Sequence, residues 1–188
     1  MGASNFKVIV VGGGPIGLTA AAIDFPILEH RSHVIADAGS NLVLMLIGLR
    51  AISQLDLLDP LNAVSSPLSR IDRLDHDGRD VGDVQFFTQM EKNFGVCPRV
   101  ISRHDLTRVL YNTLPSHAQQ KVLTNKKLSD ITPTVDGATV TRADGSSYEG
   151  AIVFGADGAH STVREAMRRL SLGLGSADVN EERPFMTT

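Results

Sequence analysis

An α/β fold, built on a parallel strand–turn–helix–strand unit, is what this 188-residue sequence predicts. The first observation behind it is Phe6-Lys7-Val8-Ile9-Val10-Val11, a β-branched run that ends in glycines, as a buried parallel strand does. The second is Gly12-x-Gly14-x-x-Gly17, set between that strand and the helix-favouring Leu18–Ala22. The third is a later repeat of the same logic, in which apolar Ile152-Val153-Phe154 runs into Gly155-Ala156-Asp157-Gly158 and then into a helical pattern.

Taken in order, Phe25–Glu29 reads as the second strand and closes a βαβ unit of the Rossmann-like kind. Within the apolar stretch Leu42–Leu58, the part from about Gly48 to Leu58 is expected to be helical, and Pro60 and Pro67 to break the pattern. Ile71–Gln85 is polar and rich in aspartate, with Asp77-Gly78 as a turn between two short strands. Arg103–Leu114 carries Leu106, Val109 and Leu110 at helical spacing, with Ser102 as N-cap and Pro115 as the stop. From Lys121 to Val153 short strands alternate with the hairpin signals Asp136-Gly137 and Asp144-Gly145. A final helix starts near Ser161 or Thr162, where Thr162 and Glu165 have the spacing of a capping box. From Leu172 onward the pattern is glycine-rich and then charged, without a core period.

Composition narrows the functional classes. A formal net charge of -3 offers no electrostatic attraction to nucleic acid or anionic lipid. The longest apolar run, Leu42–Leu49, is eight residues and cannot span a bilayer, and with a polar Met1–Asn5 ahead of the first strand no signal peptide is expected. Cys97 is the only cysteine, so an intramolecular disulfide is impossible and a cytoplasmic, reducing setting is expected. Asp72, Asp75, His76, Asp77, Asp80 and Asp83 do not form a calcium loop. With Gly78 as the loop glycine, Arg73 falls at the first ligand position and Val84 at the twelfth.

The glycine motif carries the chemistry. Gly12 permits a tight turn, Gly14 lets a backbone approach a pyrophosphate, and Gly17 lets helix and strand pack closely, with N–H groups at the helix start to receive phosphate. Glu29, at the end of the second strand, can accept hydrogen bonds from ribose hydroxyls. The interval from Gly17 to Glu29 is only 12 positions, so the crossover is about two helical turns shorter than usual. The Asp-Gly turn delivers Asp157 to a helix N-terminus.

Together these segments resemble the group A flavoprotein monooxygenases, the aromatic hydroxylase family. Its members carry an N-terminal GxGxxG and a later Asp-Gly motif. Leu28-Glu29-His30-Arg31 is similar to the family's acidic strand end, Ala38-Gly39-Ser40 through Gly48-Leu49-Arg50 to the loop and helix beneath the flavin, and Arg103–Leu110 to the segment whose leading arginine contacts FAD. Within the family the likeness is to fungal enzymes of secondary metabolism that epoxidise or hydroxylate terpenoid and indole-terpenoid intermediates. The resemblance implies a three-layer FAD-binding domain over residues 1–170, with hairpin-rich segments at about 68–100 and 121–153 that begin a β-rich substrate domain, and an irregular tail at 171–188. It places Gly12, Gly14 and Gly17 at the pyrophosphate, Glu29 at the ribose, Gly39 and Val43 in the flavin-proximal loop, Arg103 against FAD, and Asp157 in a motif shared by FAD and NAD(P)H. Family members usually have glycine where Val43 stands.

The implied reaction uses O₂ and NAD(P)H on a small organic substrate, through a flavin C4a-hydroperoxide, with no covalent protein nucleophile. The family's later Gly-Asp motif is absent from these 188 residues, so the chain is expected to be a C-terminally truncated member. Two other readings stay open: an inactive remnant of such an enzyme, and an NAD-binding dehydrogenase domain. The Asp-Gly segment argues against the second. His160, beside a turn and a helix start, is expected to be a surface residue.

Overall fold

The computed structural model describes residues 4–21, 25–36 and 39–175. In chain order the elements are β1 (Ser4–Val11), α1 (Pro15–Ala21), β2 (Ile27–Leu28), β3 (Asn41–Leu44), α2 (Leu46–Gln54), α3 (Leu58–Asn62), β4 (Ser66–Pro67), β5 (Asp72–Leu74) and β6 (Asp80–Asp83). They continue as α4 (Phe86–Phe94), β7 (Arg99–Ser102), α5 (Arg103–Asn112), α6 (Ser116–Gln119), β8 (Val122–Leu123), β9 (Leu128–Thr134), β10 (Gly137–Arg142), β11 (Ser147–Gly155) and α7 (Thr162–Gly173). The chain divides into two units, residues 1–34 with 114–188, and residues 35–113.

The first unit holds a six-stranded sheet in the order β8-β2-β1-β11-β10-β9. Strands β8, β2, β1 and β11 run parallel, while β10 and β9 join as an antiparallel meander. β1 is central, and Ile9 and Val10 are fully buried on opposite faces, which explains its unbroken apolar run. Ile9 and Val11 enter a cluster with Leu28, Leu128, Ile131, Val140, Val163 and Ala166, so α7 packs on that face. Each valine, leucine or isoleucine of this cluster contributes about 1.5–3 kcal/mol of burial. On β11, Ile152 and Phe154 point to the other face and are 59% and 45% exposed.

Several expectations shift here. The second strand shrinks from Phe25–Glu29 to Ile27–Leu28, and Glu29 lies just beyond it. Pro15 opens α1, where its missing N–H costs nothing. The capping box moves by one residue: Ser161, not Thr162, is the N-cap, and its hydroxyl accepts from Arg164 N at 3.0 Å. The hydroxyl nearer the Asp-Gly turn takes the cap because it also donates to Asp157. Helix α7 continues to Gly173, so a tail starting at 171 is corrected by one helical turn; residues 176–188 lie outside the described residues.

The second unit contains the antiparallel sheet β3-β7-β4 and the β5–β6 hairpin, whose turn holds Asp77-Gly78. The helix expected over 48–58 is in fact α2, ending at Gln54, followed by Asp56 at φ 57° and a new helix, α3. Pro60 does not break the chain there, because it sits in the first turn of α3, where an N–H has no helical partner to lose. Helix α4 interrupts the region read as hairpins, with Phe87 buried and Gly95 closing it at φ 69°. Helix α5 is capped by Ser102 as expected, but ends at Asn112, ahead of Pro115. Among the described residues no helix is long and apolar enough to cross a membrane.

Candidate functional site

In the first unit the two glycine-containing turns meet at the C-terminal ends of neighbouring parallel strands. Val11 is in register with Gly155, and Ala156 N donates to Val11 O at 2.7 Å, so the Asp-Gly turn leaves the sheet beside the glycine turn. β1 connects forward to β2 on one side and has β11 on the other. A crevice outside the carboxyl ends of strands at such a switch point is where open α/β sheets bind ligands.

The motif glycines divide by role. Gly12 stands at φ +107°, and a Cβ there would come within 2.5 Å of Ala156 O and 2.8 Å of Asp157 N. A Cβ on Gly17 would overlap the Gly12 carbonyl oxygen. Both glycines are buried and serve turn closure and packing, whereas Gly14 keeps part of its surface open. Gly14 thus leaves more of its backbone open than either of the other two.

Glu29 is only 4% exposed. Its Oε2 accepts from Gly13 N at 2.6 Å and its Oε1 from Arg31 N at 2.8 Å, and His30 Nδ1 stands 3.0 Å from Oε1. Asp157 acts on helix α7: Oδ1 accepts from Ser161 Oγ at 2.5 Å and Oδ2 from Val163 N at 3.2 Å. The first unit thus brings together Gly12, Gly14, Gly17, Glu29 and Asp157. Gly13 and Ser161 join them; neither is among the site residues expected from the sequence, Ser161 being expected only as a helix start. Gly13 occupies a position the motif leaves free; a third consecutive glycine was its only signal.

The second unit gathers Gly39, Val43 and Arg103. Gly39 stands at φ +117°, and a Cβ there would meet Arg103 Cδ at 2.6 Å, so the arginine stem lies directly on the glycine backbone. β3 and β7 pair antiparallel, with Asn41 opposite Ser102 and Val43 opposite Val100. Val43 is 48% exposed, so its side chain covers backbone that a glycine would leave open. Arg103 is exposed and begins α5. Helix α5 is locked by reciprocal bonds: Asp105 N donates to Ser102 Oγ at 2.9 Å and Ser102 Oγ donates to Asp105 Oδ2 at 2.7 Å. The Ser102 hydroxyl holds the Asp105 carboxyl below the usual carboxylate range, with Arg108 and His104 acting in the same direction.

A FAD-dependent monooxygenase of Colletotrichum higginsianum, dpchE, is 38% identical over 198 aligned residues, covering 100% of this chain. The chain belongs to the fungal FAD-dependent monooxygenases. A second FAD-dependent monooxygenase, esdpE of Penicillium shearii, is 35% identical over 97% of the chain. The chain spans about two fifths of the length of these relatives, 42% and 38% respectively. Among solved structures, Klebsiella pneumoniae HpxO complexed with FAD and uric acid superposes with a TM-score of 0.73 at 25% identity, over 85% of this chain and 41% of HpxO. No protein-family model matches the chain. The sheet and its two turns are therefore those of a FAD-dependent monooxygenase fold.

Proposed function

We propose that the chain is the FAD-binding part of a monooxygenase that hydroxylates or epoxidises a small organic, secondary-metabolite substrate with O₂ and NAD(P)H. The observation that carries this reading is the meeting of the glycine turn and the Asp-Gly turn at the ends of β1 and β11, in a chain whose relatives are named FAD-dependent monooxygenases. The residues present fit FAD. Gly14 keeps part of its backbone open just before α1, and the Glu29 carboxylate lies against the same turn, its Oε2 on Gly13 N.

In this reading Gly14 backbone receives the pyrophosphate and Glu29 the adenosine ribose, while Asp157 fixes the second turn by capping α7. Gly39 and Arg103 supply a close backbone approach and a cation on a loop of their own. FAD, when bound, supplies the redox chemistry, taking a hydride from NAD(P)H and activating O₂. The chain's own residues bind and orient; none is assigned as a covalent nucleophile. Cys97 donates to Leu68 O at 3.2 Å.

The test is NAD(P)H oxidation by the FAD-supplemented protein in air, followed by absorbance with an oxygen electrode in parallel. Flavin-dependent oxidation that consumes O₂ supports an active monooxygenase. Protein that takes up FAD without any oxidation supports the reading of an inactive remnant instead.

A further inference from the structure

The carboxylate of Glu29 is engaged before any ligand arrives. Its backbone is pinned from one side, since Glu29 N donates to Leu123 O at 2.9 Å and Glu29 O accepts from Lys126 N at 2.8 Å. From that anchor the side chain reaches back 16 residues to accept from Gly13 N at 2.6 Å, inside the glycine turn. The other oxygen closes the local loop through Arg31 N. Gly13 is shaped to this partner: a Cβ there would lie 2.9 Å from Glu29 Oε2 and 3.1 Å from Glu29 Cβ. A charge-assisted bond to a buried carboxylate is about twice as strong as a neutral one, and the group is 4% exposed.

From these contacts we infer that Glu29 is a positioning residue for the glycine turn, holding the Gly13 amide so that the turn keeps its shape without nucleotide. A carboxylate is needed because both oxygens accept from backbone N–H; a carboxamide must turn a donor towards one of them. The turn and Glu29 form one unit, and the effect of Glu29 on a bound nucleotide runs through the turn to the phosphates as well as directly to the ribose. The phosphate arm of this inference rests on the nucleotide-binding reading proposed above.

The experiment combines amide hydrogen exchange of the nucleotide-free chain with titrations of ADP and of adenosine, in wild type and E29Q. The inference expects Gly13 to be protected in the wild type without nucleotide, and its exchange to rise about tenfold or more in E29Q. It also expects E29Q to weaken ADP more than adenosine, by about tenfold in the ratio of the two Kd values. G13A, which displaces the carboxylate sterically, is expected to shift the ADP-to-adenosine ratio in the same direction. Three results overturn the inference: Gly13 unprotected in the wild type, an equal loss for ADP and adenosine in E29Q, or tighter ADP binding in E29Q, as simple removal of a negative charge would give. Should E29Q fail to fold, wild-type exchange and G13A still decide. A chain that binds neither ligand, yet protects Gly13 and releases it in E29Q, would sink the nucleotide-binding reading and leave the brace standing.

Discussion

Replacing Gly12 by alanine is the perturbation that most directly probes the junction of the two turns. Two separate costs apply. At φ +107° any L-residue is strained, by about 1–2 kcal/mol. The new Cβ would also lie 2.5 Å from Ala156 O, 2.6 Å from Ala156 C and 2.8 Å from Asp157 N, all backbone atoms that cannot rotate away. Relief requires the Asp-Gly turn to move off the end of β1, which stretches the bond from Ala156 N to Val11 O. Overpacking of this kind adds about 1–3 kcal/mol, giving about 2–5 kcal/mol in all. The control is G145A in the same unit, at φ +80° with nothing within 4 Å of its added Cβ. It carries the backbone strain alone, about 1–2 kcal/mol. In urea unfolding, G12A is expected to fall well below G145A, and in thermal melts the gap corresponds to about 2–4 °C for each kcal/mol. Equal losses for the two variants would show that the turns do not touch as described.

Further outcomes follow from the two helix caps. D157A removes the acceptor for Ser161 Oγ and Val163 N, and should destabilise α7 by about 1–2 kcal/mol in urea unfolding, with D157N recovering part of the loss. S102A should cost about 1 kcal/mol at neutral pH by uncapping α5. The Asp105 carboxyl is held below its ordinary value of 3.8 chiefly by the Ser102 hydroxyl, so its share of stability is complete above pH 3.8 and lost as pH falls through its lower folded value. The gap between wild type and S102A should therefore narrow below pH 3.8, as read from acid-unfolding curves.

Much of the first unit could be read from the chain because its signals are local. Phe6–Val11, the three glycines and Asp136-Gly137 each dictate backbone geometry through adjacent residues, and the sheet places them as expected. The Asp157 cap was visible as a turn feeding a helix, but the choice of Ser161 over Thr162 depended on where the Asp157 carboxylate points, which spacing cannot tell. Helix α4 had a usable signal in Phe87, Met90 and Phe94 at helical spacing, hidden by the polar hairpin before it. Other features were out of reach. Arg99 gives Nε to Ser65 Oγ at 2.6 Å and Nη2 to Asn62 O at 3.1 Å, contacts made across 34 and 37 residues. Likewise, the bond from Gly13 to Glu29 exists only because β1, β2 and β8 lie side by side. The place of Glu29 at a strand end points to a ribose ligand; that its oxygens already serve the backbone is a fact of tertiary structure.

Equilibrium titration of the chain with FAD, followed by flavin fluorescence and the visible spectrum, tests the cofactor assignment most directly. Saturable one-to-one binding with a shifted flavin spectrum, weakened in R103A and in G12A, is the predicted result. A chain that leaves FAD unperturbed, or that takes NAD in preference to it, would contradict the account.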